Sequence, residues 1–198
     1  MARYSIGIDL GTTNSAASYF ELDRSAARGR EQTMLAIPQV TAVGTVEARP
    51  LLPSFLYLPN AQEFPAAALG LPWAKTEGSL IVGEFARAHG AKVPARLVSS
   101  AKSWLSHAGV DRQSAILPWQ APEDVKRVSP VDASRHYLAH VRSAWDNQFP
   151  DTPFAEQDVV LTVPASFDET VLGRELGPVI FEMNYAEAIR LGVLPPFR

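Results

Sequence analysis

Cysteine is absent from the 198 residues, which excludes disulfides and thiolate metal sites and is compatible with a reducing compartment. No stretch approaches the roughly 20 consecutive apolar residues that a membrane-crossing helix needs. The start, MARYSIG, passes directly into strand-like alternation, without the basic segment and apolar run of a secretory leader. A cytoplasmic location and no membrane partner are therefore expected. Neither G-x-x-x-x-G-K-[ST] nor G-x-G-x-x-G occurs anywhere, so a nucleotide bound in either of those ways is not on offer. Positive charge of one sign is not massed either: 18 Lys and Arg against 21 Asp and Glu leave a net charge of −3. The basic residues are scattered, so there is no electrostatic footprint for nucleic acid, and none is expected as a partner.

What is present is an ordinary globular composition, 46% hydrophobic and 20% charged, enough apolar surface for one domain or two subdomains. Tyr4, Ile6, Ile8 and Leu10 alternate with Ser5, Gly7 and Asp9, the period-2 pattern of a half-buried strand. Gly11, Thr12, Thr13 and Asn14 interrupt it, and Ser15 to Leu22 predicts an antiparallel return. Residues 23–33 read as a polar loop, and the prolines through 37–65 predict short strands and turns. Leu97, Val98, Ala101, Trp104 and Leu105 fall on one helical face, predicting a helix over 95–107 that buries Trp104. Ser129 followed by Pro130 predicts an N-cap and first helical position, with Val131, Tyr137, Leu138, Val141 and Trp145 continuing at helical spacing up to Phe149 and Pro150. The run DVVLTV from Asp158, closed by Pro164, predicts a central strand buried on both faces. Strand, inserted proline-rich region, helix and strand together indicate an α/β class.

The segment GIDLGTTNS, Gly7 to Ser15, carries the chemistry. An acidic residue ending a strand can face a divalent cation or its water, because hard cations take oxygen ligands. Gly11 lets the backbone approach a ligand without a Cβ in the way. Thr12 and Thr13 offer hydroxyls and backbone N–H groups in the concave arrangement that holds phosphate oxygens. The competing reading is plain hairpin-turn chemistry, since Asp, Gly, Thr and Asn populate turns for local reasons.

GIDLGTTNS resembles the first phosphate motif of the 70 kDa heat-shock (DnaK-like) chaperone family, within the actin-like ATPase superfamily. Further segments resemble that family in the same order: Leu52-Pro53-Ser54-Phe55-Leu56, Val82-Gly83-Glu84-Phe85-Ala86-Arg87, Ser100-Ala101-Lys102-Ser103-Trp104-Leu105, and Val160 to Asp168. The resemblance implies an actin-like, ribonuclease H-like first lobe, with residues 1–40 and 116–170 as the main α/β subdomain and 41–115 as a smaller insert. It implies ATP or ADP with Mg2+ as cofactors. Asp9 would stand near the magnesium and the attacking water, and Gly11, Thr12, Thr13 and Asn14 would hold phosphates. Pro164 would be the switch proline that couples nucleotide state to a substrate-binding domain. In intact relatives of that kind, unfolded peptides and co-chaperones are the partners.

One departure is chemical: the family's catalytic lysine falls on Arg87, whose planar fork is not equivalent to an ammonium point charge. A surface arginine is the alternative. A second departure begins after Asp168, where the family's second phosphate loop and adenosine motif do not follow. Residues 171–198 form a divergent tail that faintly resembles a segment of superfamily 2 helicases, or else an ordinary amphipathic helix capped by Asn184. The expectation is an ATP-binding lobe that is incomplete and poorly able to turn over alone. A non-catalytic interaction module or a gene fragment derived from such a lobe is the alternative, with a sugar-kinase or actin relative less favoured by the segments around Pro53, Lys102 and Pro164. His136 and His140, spaced i, i+4, are expected to be surface or packing residues rather than zinc ligands. The four tryptophans are expected in core and interface packing.

Overall fold

The computed structural model describes residues 2–22, 32–60, 63–65, 68–74, 80–107 and 109–162, together with the backbone of Phe181–Glu182. The elements run β1 (Tyr4–Asp9), β2 (Asn14–Glu21), β3 (Thr33–Met34), β4 (Ile37–Ala42), β5 (Thr45–Arg49), β6 (Leu51–Pro53), β7 (Leu56–Tyr57), β8 (Ile81–Val82), α1 (Glu84–Gly90), β9 (Leu97–Val98), α2 (Ala101–Leu105), α3 (Pro130–Gln148), β10 (Asp158–Thr162) and β11 (Phe181–Glu182). The class is mixed α/β.

Among the described residues the main sheet has six strands, ordered β11-β10-β1-β2-β3, with β6 also paired to β2. Strand β1 is central. It pairs antiparallel with β2 through the turn at 10–13 and parallel with β10, so that Asp9 lies opposite Ala16 on one side and Thr162 on the other. The alternation in β1 has the expected result: Ile6 and Ile8 are fully buried. In β10, Val159 and Leu161 are buried, as is the polar Thr162. The two smaller sheets are the hairpin β4-β5 and the three strands β8-β7-β9.

Helix α3 covers the sheet. Its start is built as the sequence predicts: the Ser129 hydroxyl accepts from the Asp132 backbone N–H at 2.9 Å and donates to the Asp132 carboxylate at 2.9 Å, with Pro130 at the first position. Ala133, Tyr137, Leu138, Val141, Ala144 and Trp145 are buried along the inward face. Trp145 meets Tyr4 and Tyr19 edge-on, at ring-centroid distances of 5.4 and 5.2 Å, and its indole N–H donates to the Thr152 carbonyl oxygen at 2.8 Å. That bond closes the loop leading into β10. The same apolar cluster takes in Ile8, Leu10 and Leu52 from the main sheet, Leu56 and Val98 from the small one, and Ala101 from α2.

The predicted helix over 95–107 is not formed as such. A single 3-10 turn spans Pro94–Arg96, and Leu97 and Val98 then pair with Tyr57 and Leu56 as β9. Only Ala101–Leu105 is helical. The apolar spacing satisfied a helix and a strand equally over this short stretch, and the open edge of β7 decided between them. Trp104 is half-buried rather than buried, with its ring 4.9 Å from that of the exposed Trp119. His140 packs as expected, with Nε2–H donating to the Pro38 carbonyl oxygen at 2.8 Å. Pro164, most of the loop at 23–33 and the helix proposed from Asn184 lie outside the described residues. Among the described residues no helix is long and apolar enough to cross a membrane.

Candidate functional site

The carboxyl end of β1 and the turn that follows form the site. Asp9 is half-buried at the last pairing position of β1, and the Thr162 hydroxyl donates to its Oδ1 at 3.0 Å. The neighbouring Ile8 carbonyl oxygen stands 3.3 Å from the same hydroxyl. Thr162 therefore fixes the rotamer of Asp9 through one oxygen.

The turn is tightly folded and held from behind. A Cβ at Gly11 would lie 2.0 Å from the Asn14 carbonyl oxygen, so no residue with a side chain fits without opening the turn. Ser54 clamps it from the strand alongside: its hydroxyl donates to the Gly11 carbonyl oxygen at 2.8 Å, and its backbone N–H donates to the Thr13 carbonyl oxygen at 2.9 Å. The Ser15 and Ser54 hydroxyls are 3.0 Å apart and both buried. Because the single Ser54 proton is given to Gly11, Ser15 is the donor in that pair. Asn14 is held in the ladder opposite Pro53. With its carbonyls engaged on the protein side, the turn leaves Thr12 and Thr13 exposed.

A cation lies within electrostatic range of this end of the sheet. Lys102, on α2, is half-buried and interacts electrostatically with Asp9. Burial pushes its ammonium below the ordinary lysine value, and the Asp9 charge pulls it back up. The lysine belongs to a segment whose sequence stood out, yet no role for it was evident. Its relation to Asp9 is tertiary and leaves no spacing signal.

Arg87 is placed differently. It lies on α1, with its guanidinium at 2.9 and 2.7 Å from the two carboxylate oxygens of Glu84. Glu84 also takes Arg49 at 3.2 Å, joining α1 to the end of β5. The entry to α1 requires glycine: Gly83 has φ +95°, and a Cβ there would lie 2.8 Å from Gln39 Oε1. The turn residues Gly11 to Asn14, Asp9, Thr162 and Lys102 are brought together. Arg87 is engaged by an acidic neighbour on its own helix.

Among the described residues no group of three or more His, Cys, Asp or Glu could hold a metal ion. A scan of the chain against models of known protein families returns no match.

Proposed function

We propose that the chain binds magnesium-ATP at the β1–β2 turn, as the ATP-binding lobe of a heat-shock-type chaperone with an actin-like, ribonuclease H-like arrangement. The observation that carries this reading is the turn itself: a glycine-tight loop, its carbonyls tied back by Ser54, presenting Thr12 and Thr13 outward beside a strand-end carboxylate. Hydroxyls and backbone N–H groups on a preformed turn suit phosphate oxygens, and preformation removes the ordering cost of binding. A central strand flanked by an antiparallel hairpin partner and a parallel strand is compatible with that fold.

The donor set also suits magnesium. Mg2+ is commonly held by one or two carboxylates together with substrate phosphates and water rather than by an all-protein cage. Asp9 keeps an oxygen not bonded to Thr162 and would supply that carboxylate, directly or through water. The bound ion would neutralise phosphate charge. Within this reading Thr12 and Thr13 orient the phosphates, and Thr162 holds Asp9 in place. Hydrolysis by the chain alone is expected to be slow, because phosphoryl transfer depends on charge neutralisation from all sides of the phosphate. Unfolded peptides and co-chaperones are the partners that belong to this reading, as does a nucleotide-coupling role for Pro164.

Titration calorimetry of the 198-residue chain with magnesium-ATP tests it. Binding in the micromolar range, weakened at least about tenfold by Asp9→Ala, is the expected result. Absence of binding, or binding indifferent to Asp9→Ala, would sink the proposal.

A further inference from the structure

Strand β5 is the outer member of the β4-β5 hairpin, and among the described residues β4 is its only pairing partner. Thr45, Val46, Glu47 and Ala48 are exposed, so this edge meets solvent. The direction of its backbone groups follows from β4. Ala48 stands opposite Pro38, which has no N–H to give, and the Pro38 carbonyl oxygen is taken from the other side by His140 at 2.8 Å. Ala48 and Pro38 therefore form a pair that exchanges no backbone bonds, and the N–H and C=O of Ala48 point away from β4. Direction alternates along a strand, so Val46 points the same way while Thr45, Glu47 and Arg49 bond inward. Among the described residues, neither Val46 nor Ala48 has a partner for these outward groups.

We infer that β5 is a self-docking edge, through which two copies of this chain join antiparallel about a two-fold axis at Glu47. A contact of that symmetry needs a patch complementary to itself. In this register Val46 of one copy lies opposite Ala48 of the other, and each such pair exchanges both N–H···O bonds because both residues present them outward. Pro50 closes the edge immediately after Arg49 and limits the pairing to the length of β5. The association is accordingly weak and reversible.

The charges favour a second copy as the occupant. Glu47 would stand opposite the partner's Glu47, a contact that bare carboxylates oppose. Each carboxylate, however, brings its own guanidinium: Arg49 donates to Glu47 Oε2 from Nε at 3.2 Å and from Nη2 at 2.8 Å. Residues 47 and 49 share one face of the strand, so the partner's Arg49 lies diagonally across from Glu47. Two acids and two bases thus meet as a neutral group. Edges that resist association carry unpaired charge, lysine above all. Strand β5 has no lysine, and its arginine is already engaged by Glu47 and Glu84. Apolar area is available as well: Val43, Val46 and Leu51, three of the five exposed large apolar side chains among the described residues, lie on this strand or beside it.

Sedimentation equilibrium of the full chain without nucleotide, at concentrations up to about 1 mM, tests the inference; a monomer–dimer equilibrium with Kd on the order of 100 µM is expected. Val46→Pro removes an outward N–H and leaves the bonds to β4 in place, a substitution that edge strands tolerate. With folding verified by circular dichroism, it should weaken the dimer about tenfold or more. Glu47→Lys, at an exposed position, should associate with the wild-type chain more tightly than with itself, because like charges across the axis become unlike. A chain that stays monomeric throughout overturns the inference, whatever other extended segment this edge accepts. A dimer that Val46→Pro leaves unchanged overturns it too. Should Val46→Pro not fold, the Glu47→Lys mixture decides: tighter mixed association supports the edge, and equal association with itself and with wild type overturns it. None of these outcomes depends on magnesium-ATP binding.

Discussion

His140 shows how much one residue's surroundings change its chemistry. It lies on the buried face of α3, with Nε2–H on the Pro38 carbonyl oxygen at 2.8 Å and its ring edge-on to Trp73 at 5.2 Å. Burial pushes its pKa down to about 4, against a smaller opposing effect of the bond to Pro38. Since the folded value lies below that of the unfolded chain, near 6.5, the unfolded state takes up the proton first as pH falls. The stability due to neutral burial is complete above about pH 6.5 and is lost progressively down to about 4, by at most roughly 3 kcal/mol. Urea unfolding at pH 7 and pH 5 should show a drop in stability that His140→Gln makes smaller, because glutamine keeps a donor for Pro38 but does not titrate. An unchanged pH dependence in that variant would contradict the assignment.

At the scale of elements, the turn between β1 and β2 depends on β6. Ser54, just beyond β6, supplies both the hydroxyl for Gly11 and the acceptor for Ser15. Ser54→Ala would leave the Gly11 carbonyl oxygen and the buried Ser15 hydroxyl without that partner, at a cost of about 1–3 kcal/mol. A fall in thermal midpoint together with weaker magnesium-ATP binding is expected. A fall in midpoint with unaltered binding would limit Ser54 to stability.

The elements also show where sequence reasoning works. Strand β1, its hairpin partner, β10 and α3 were legible because each carries its own local signal: alternation, a polar turn, a β-branched run, a serine cap before proline. The stretch 95–107 was not legible, since Leu97 and Val98 take their state from the edge of β7, some forty positions earlier. The site divides in the same way. Asp9 and residues 11–14 are contiguous and could be read directly, whereas Ser54, Lys102 and Thr162 join them only through pairing and packing. Arg87 was singled out by resemblance, and nothing in its spacing revealed that Glu84, three residues before it, would take its charge.

For the whole molecule, one apolar cluster joins the main sheet, the small sheet, α2 and α3. A core shared in this way favours a single cooperative transition, because removing any layer exposes the others. Far-ultraviolet circular dichroism and tryptophan fluorescence are expected to report coincident urea midpoints. Separated midpoints would show that the sheet β8-β7-β9 melts independently of the main one.

The hydrogen bonds at the turn also have a consequence in time. The β1–β2 hairpin closes over a few residues and can form early, but the bond from Ser54 to Gly11 spans 43 positions and that from Thr162 to Asp9 spans 153. Contacts of such separation form slowly, since loop closure must precede them. During refolding the turn is therefore expected first as an unsupported bend that takes its final shape only when strands distant in the chain have docked. If the proposed magnesium-ATP binding holds, affinity for it should thus be among the last native properties to be acquired.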